Sequence, residues 1–160
     1  MFRIGFGNDV HQLTASRSLI IGGVVIDSEL GAEGHSDADV LLHAITDALL
    51  GALALGDIGT HFPNSDERWH NAESIVFLRF AVGLMKQHGY QVANVDSTVD
   101  LEWPKLRPYI DAMRKGVADA LEVETNRVSI KAKTGEGVDA VGEKRAVRAE
   151  AVILLQPLID

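Results

Sequence analysis

Apolar and polar positions change period several times along the chain, and each change marks an element. Phe2 to Asn8 and Ser18 to Asp27 are short apolar runs rich in Ile, Val and Gly, which predicts two early strands around a polar turn at Thr14 to Arg17. The spacing then lengthens to three and four residues. Val40, Leu41, Ile45, Ala48, Leu49 and Ala52 form one stripe of a helix that Asp37 or Asp39 can cap and Gly56 can close. Asp57 to Asp66 reads as loop, dense in turn formers yet holding the apolar Ile58 and Phe62. A second helix is predicted from about Ala72 to Gln87, with Ile75, Leu78, Phe80 and Val82 to bury and Gly89 as its stop. Tyr90 to Val99 alternates as a strand, Pro108 to Glu122 has helical spacing, and Arg127 to Thr134 and Ala146 to Gln156 read as the last two strands. Strand, helix, strand implies a parallel pair. The β-rich ends around two successive central helices predict an α+β fold, a mixed β-sheet with helices packed on one face and ferredoxin-like elements, rather than a doubly wound one.

Composition narrows the function. With 160 residues, 46% of them hydrophobic, residues 1–160 are expected to form one domain with a substantial core. No run approaches the roughly 20 apolar residues that cross a bilayer, and the start Met-Phe-Arg-Ile-Gly lacks a signal-peptide layout, so a cytoplasmic protein is expected. There is no cysteine, so a bound metal must be held by His, carboxylate or backbone oxygen. Fifteen basic residues against twenty-three acidic ones leave a formal charge of -8, which argues against nucleic acid or anionic membrane as partners. An anionic small substrate would need metal ions, helix N-termini and a few placed Lys or Arg to overcome that field.

Three regions carry candidate chemistry. Asp9 and His11 are two apart, so on a strand they share a face and can reach one ion, although Asp-Val-His alone is more often an ordinary polar pair. His43 lies in the first helix with Asp39 four residues before and Asp47 four after, carboxylates that could orient its ring; a satisfied core histidine fits the same pattern. Two His and one Asp leave an open position on a metal, best Zn²⁺, with Mn²⁺ or Fe²⁺ also admitted. Gly34-His35-Ser36-Asp37-Ala38-Asp39 precedes that helix and reads as capping or as a phosphate seat. Lys131 to Gly137 places Lys133, Thr134 and Glu136 around a glycine turn at Gly135, suited to an anion plus a hard cation. Trp103 to Pro108 adds Lys105 and Arg107 in a segment stiffened by Pro104.

With those residues in order, the chain resembles the 2-C-methyl-D-erythritol 2,4-cyclodiphosphate synthase family nearly end to end. The most specific stretches are Arg3 to His11, Gly34 to Ala44, and Gly56-Asp57-Ile58-Gly59 followed by Phe62-Pro63. The resemblance implies a homotrimer with active sites between subunits, Asp9, His11 and His43 as zinc ligands, and Glu136 helping to hold Mg²⁺ or Mn²⁺ on the substrate diphosphate. It implies His35 and Thr134 as catalytic groups that stabilise charge on the transferred phosphoryl group. Ser36, Asp57, Ile58, Gly59, Phe62, Pro63, Asn64, Ser65 and Asp66 would meet the methylerythritol and phosphate end. Leu101, Pro104, Lys105, Leu106, Arg107, Lys133 and Gly135 would meet the nucleotide end. The implied reaction is intramolecular attack of the 2-phosphate of 4-diphosphocytidyl-2-C-methyl-D-erythritol 2-phosphate on its β-phosphate, releasing CMP.

The chain departs from the family pattern at Lys133, usually threonine, at Asn64, usually aspartate, and at Trp103, usually small. Asp139 to Ala146 replaces the usual Gly-Phe-Thr-Gly-Arg stretch and carries Glu143 where an arginine is expected, so an isoprenoid-diphosphate site on the trimer axis is not carried over. The same site residues admit a metal-dependent phosphatase or nucleotide hydrolase, in which metal-bound water attacks directly, and a non-catalytic trimeric binding protein.

Overall fold

A computed structural model describes residues 1–158. The chain opens with strand β1, Arg3–Thr14, longer than predicted because Asp9 and His11 continue the extended run. The predicted single strand over 18–27 is instead a hairpin, β2 Leu19–Ile21 and β3 Val24–Ile26. Gly22 and Gly23 both take positive φ, 60° and 75°, the geometry of a tight two-residue turn. After the short β4, Gly31–Ala32, comes helix α1, Val40–Ala52. Asp39 is its cap, accepting the Leu42 N–H, and the first left-handed residue beyond its end is Ala54, with Gly56 a second two residues on.

The segment read as loop holds a one-turn helix α2, Ile58–His61, capped by Asp57, and a 3-10 turn at Glu67–Trp69 capped by Asp66. Helix α3 runs Ile75–Gln87 and buries Phe77, Leu78, Ala81, Val82 and Met85. Phe80, expected inside, is 42% exposed, because at helical spacing it projects from the side of α3 away from that stripe. Strand β5, Tyr90–Asp100, leads through a 3-10 turn at Arg107–Tyr109 into α4, Ile110–Leu121, and on to β6, Val128–Lys133. An unforeseen short helix α5, Asp139–Gly142, precedes β7, Ala146–Pro157.

Five strands form one sheet in the order β4-β1-β7-β5-β6. The predicted parallel pair is β5 with β6, joined through α4, and all other pairings in the sheet are antiparallel, so the expected mixed α+β sheet is what forms. One face carries the helices, with α1 over β1 and β7 and α4 over β6. Along β1 the alternation is strict. Gly5, Gly7, Asp9, His11 and Leu13 face the helices, while Ile4, Phe6, Asn8 and Val10 face away and are exposed.

Small residues set the distance between these layers. A Cβ at Gly5 would lie 1.8 Å from the Ala48 carbonyl oxygen, and one at Gly7 would lie 2.1 Å from the Ala44 carbonyl oxygen. Ala149 and Ala151 continue the seam on β7, paired in register with Asp9 and Gly7. Helix α1 therefore rests almost directly on the backbone of β1. Gly7→Ala should destabilise the fold by about 1–3 kcal/mol, since helix backbone must move to admit one methyl. Gly83→Ala, in open space within α3, should instead stabilise by about 1 kcal/mol. Urea denaturation of both variants tests this; a Gly7→Ala midpoint equal to that of the parent would show that α1 has room.

Candidate active site

The close seam delivers His43 onto β1 beside Asp9 and His11. Asp9 Oδ2 is 2.8 Å from His11 Nε2 and 2.9 Å from His43 Nδ1, and the two ring nitrogens are 3.2 Å apart. Among the described residues these three form the one group of His, Cys, Asp or Glu side chains whose ligating atoms converge within 4.8 Å. His11 Nδ1 faces the Glu33 carbonyl oxygen at 2.8 Å, and a carbonyl can only accept, so His11 donates there and turns Nε2 to the cluster.

The flanking carboxylates do not orient His43. Asp39 is fully buried and accepts the N–H groups of Gly22, Gly23 and Leu42, so it fastens the hairpin turn to the start of α1. Burial pushes its carboxyl up to about 6 against those three donors. The cap position is thus filled by a side chain of the protein, and of the loop before the helix only Gly34, His35 and Ser36 line the depression around the cluster. Asp47 accepts the Ile58 N–H at 2.8 Å and ties α2 to α1; burial raises its pKa. His43 Nε2 instead meets two hydroxyls, Ser74 Oγ at 2.8 Å and Ser36 Oγ at 3.2 Å.

The cluster forms part of a depression of about 390 Å³, lined also by Gly34, His35, Ser36, Asp47, Ile58, Gly59, Phe62, Asn64, Trp69 and Phe77. Arg17 holds the His35 loop by donating to the carbonyls of Gly34 and Ser36. The His35 ring stands edge-on to His70, centroids 5.1 Å apart, with Nε2 3.5 Å from the Asp66 carbonyl oxygen. Phe62, Trp69 and Phe77 make an aromatic wall, with Phe62 against Phe77 at 4.5 Å and against Trp69 at 4.9 Å. Trp69, Phe77 and Ser74 were not singled out in the sequence. Trp69 lies in a polar stretch, and Ser74 looks like an ordinary helix cap.

Other expected site residues fall elsewhere. Lys105, Leu106, Arg107, Leu101, Lys133, Thr134 and Glu136 line a second depression of about 820 Å³ that shares no residue with the first. Within it Thr134 Oγ1 donates to Glu136 Oε1 at 2.8 Å, and the Gly135 N–H meets Glu102 Oε2 at 2.9 Å. Pro104, which follows a cis peptide bond, is buried and does not line this groove. Asp57, Pro63 and Ser65 are exposed and outside both depressions, and Asp66 is engaged with Arg68. One chain therefore separates His35 from Thr134, and Glu136 from the Asp9 cluster.

The electrostatics of the cluster oppose burial to pairing. Burial disfavours the Asp9 carboxylate, but hydrogen bonds from His11 and His43 and their charge outweigh it and hold Asp9 well below the usual carboxylate range. Burial likewise disfavours protonated His11, and Asp9 outweighs it, raising the His11 pKa above 6.5. A metal ion needs the Nε2 lone pair that this proton occupies. Uptake of a divalent metal ion should therefore release a proton from His11 below the raised pKa, and the release should vanish above it, where the ring is already neutral. Calorimetry in buffers of different ionisation heat, run across a pH series, checks this; a heat independent of buffer at every pH would contradict it.

Comparison with known proteins adds the relatives. The model of the YgbB family matches residues 2–156. The 2-C-methyl-D-erythritol 2,4-cyclodiphosphate synthase of Solibacter usitatus is 53% identical over 154 residues, 96% of this chain and 97% of that protein. The enzyme of the same name from Natranaerobius thermophilus is 51% identical over 156 residues, 98% of this chain and 99% of its own length. A solved structure of such a synthase, described as its CDP-bound form, superposes with a TM-score of 0.89 at 40% identity, covering 96% of this chain and 100% of that one.

Proposed function

The chain belongs to the YgbB family, and from that membership we propose that it converts 4-diphosphocytidyl-2-C-methyl-D-erythritol 2-phosphate to 2-C-methyl-D-erythritol 2,4-cyclodiphosphate and CMP, as a cyclising phosphorus-oxygen lyase of the non-mevalonate isoprenoid pathway. Residues 1–160 act as one synthase domain in the cytoplasm. The observation that carries the reading is the Asp9, His11 and His43 cluster in a depression that also holds His35 and Ser36.

The donor set fits a divalent ion. Two imidazole nitrogens and one carboxylate oxygen converge, and both rings have a polar partner for the nitrogen that faces away. Asp9, His11 and His43 would hold Zn²⁺ or another transition ion and Glu136 a Mg²⁺ or Mn²⁺; these ions supply Lewis acidity at the β-phosphate and neutralise the diphosphate.

In the reaction an oxygen of the substrate's 2-phosphate forms a bond to the β-phosphorus. The bond from that phosphorus to the bridging oxygen breaks, and its electron pair leaves with CMP. Nucleophile and electrophile belong to one molecule, so the protein's task is to fold the substrate upon itself and to exclude water. Ser36, Ile58, Gly59 and Asn64 contact the methylerythritol phosphate end, with Asp57, Pro63, Ser65 and Asp66 at its rim. The wall of Phe62, Trp69 and Phe77 keeps competing water out. His35 and Thr134 donate toward the oxygens that gain charge in transfer, and Thr134 reaches Glu136 as well. Leu101, Pro104, Lys105, Leu106, Arg107, Lys133 and Gly135 enclose the cytidine diphosphate.

The protein works as a homotrimer in which the first depression of one subunit meets the Thr134 groove of its neighbour. Two features support this. Neither depression alone holds the whole residue set, and the helix-free sheet face leaves Ile4, Phe6, Val10 and Val152 between 46% and 72% exposed.

Incubation with the substrate, Mg²⁺ and Zn²⁺ should yield CMP and a cyclic diphosphate by phosphorus NMR. Linear phosphates would mark a hydrolase, and no turnover despite bound zinc a binding protein. Thr134→Ala should lower kcat by about 10²-fold or more with little change in KM, as for a donor acting on the transition state. Co-expressed His35→Ala and Thr134→Ala chains should regain activity that neither variant has alone. Failure to regain it would contradict a site shared between subunits.

A further inference from the structure

Ser74 stands at the N-cap of α3, where a serine hydroxyl ordinarily accepts an N–H from its own first turn, yet it makes no such bond. Its side chain is completely buried. The hydroxyl is turned the other way, to His43 Nε2 at 2.8 Å and to Asp37 Oδ1. The second oxygen of Asp37 accepts the Ser74 backbone N–H at 3.1 Å, so one carboxylate grips the same residue twice. A buried hydroxyl diverted from capping toward a ring nitrogen calls for a reason.

Donor and acceptor inventory supplies it. The Asp37 carboxylate offers only acceptors, so the Ser74 hydroxyl proton goes to Asp37. The Ser74 oxygen then has lone pairs left and no proton, and it accepts from His43 Nε2–H. In a neutral His43 ring Nε2 is thereby the donor, which leaves Nδ1 with the lone pair. Nδ1 is the atom that faces Asp9 Oδ2 at 2.9 Å and His11 Nε2 at 3.2 Å. His11 is set in the opposite sense, with Nδ1 committed to the Glu33 carbonyl and Nε2 turned inward. Ser36 Oγ lies farther from His43 Nε2, at 3.2 Å, and already accepts the Ala38 N–H. It is the secondary partner.

We propose that Ser74, backed by Asp37, is a positioning residue that fixes the tautomer and ring plane of His43 so that Nδ1 is presented to a metal ion. The proposal rests on the metal reading of the Asp9, His11 and His43 cluster. It also explains why α3, which supplies none of the three ligands, is anchored to the loop before α1: Asp37 joins the two, and the relay passes through that junction. Since Ser74 caps nothing, its hydroxyl is not needed for the helix that it begins.

Zinc affinity by chelator competition and the His43 tautomer by ¹⁵N–¹H correlation test the proposal on full-length Ser74→Ala, with urea denaturation to report folding. Affinity should fall about 10- to 100-fold, the range for loss of a partner behind a metal-bound histidine, while His43 loses its single Nε2–H form. Asp37→Asn should weaken zinc in the same direction, and it keeps the assignment testable if Ser74→Ala does not fold. Ser74→Ala that folds and binds zinc as tightly as the parent, with His43 unchanged, would overturn the relay and leave the metal reading standing; with Ser74→Ala unfolded, parental affinity in Asp37→Asn would do the same. A parent protein that takes up no zinc, cobalt or manganese would overturn the metal reading, and the relay with it.

Discussion

The approach of α1 to β1 is the constraint on which the rest depends. Gly5 and Gly7 remove the side chains that would hold the helix off the strand, and Ala44 and Ala48 present backbone carbonyls to the space so left. A larger residue at either glycine would move His43 away from Asp9 and His11, because all three hang on the same two elements. Packing distance therefore sets the geometry of the cluster directly. Functional clusters tolerate little displacement, so a glycine seam beneath the helix that carries His43 serves the proposed chemistry as well as the fold.

A second layer of hydrogen bonds makes that geometry specific. Asp39 fastens the hairpin turn to α1, Asp47 fastens α2 to α1, and Asp37 fastens α3 to the same loop. Each of these carboxylates satisfies backbone N–H groups that would otherwise be buried unpaired. Together they make α1 and the loop before it the hub that positions three neighbouring segments. The cost appears in Asp39 and Asp47, whose carboxyls burial pushes upward.

The two depressions divide the proposed site residues between separate parts of the chain. One gathers Asp9, His11, His43, His35 and the aromatic wall; the other gathers Lys105 and Arg107 with Lys133, Thr134 and Glu136 from the end of β6. For a chain with formal charge -8, the second groove concentrates cations, Lys105, Arg107, Lys131 and Lys133, in one place. An exposed apolar sheet face on the same molecule gives the proposed trimer a hydrophobic surface to bury.

The order of strands and helices, the parallel β5 and β6 pair, and the shared face of Asp9 and His11 were legible because each follows from a local period of two or 3.6 residues. His43 was legible as a candidate on the same ground, but its partners were not. Sequence spacing put Asp39 and Asp47 beside it, whereas the folded chain sends both to backbone amides and brings Ser74 from 31 residues away. Phe80 failed for a related reason: which face of α3 is inside depends on what covers it. By itself, then, the sequence determined the main strands and helices, the residue types of the cluster and the family, since these are written in short-range pattern and motif. Only the tertiary structure decided which hydroxyl meets which ring nitrogen, and that Thr134 lies apart from His35, because those are set by backbone paths that bring distant segments together or keep them separate.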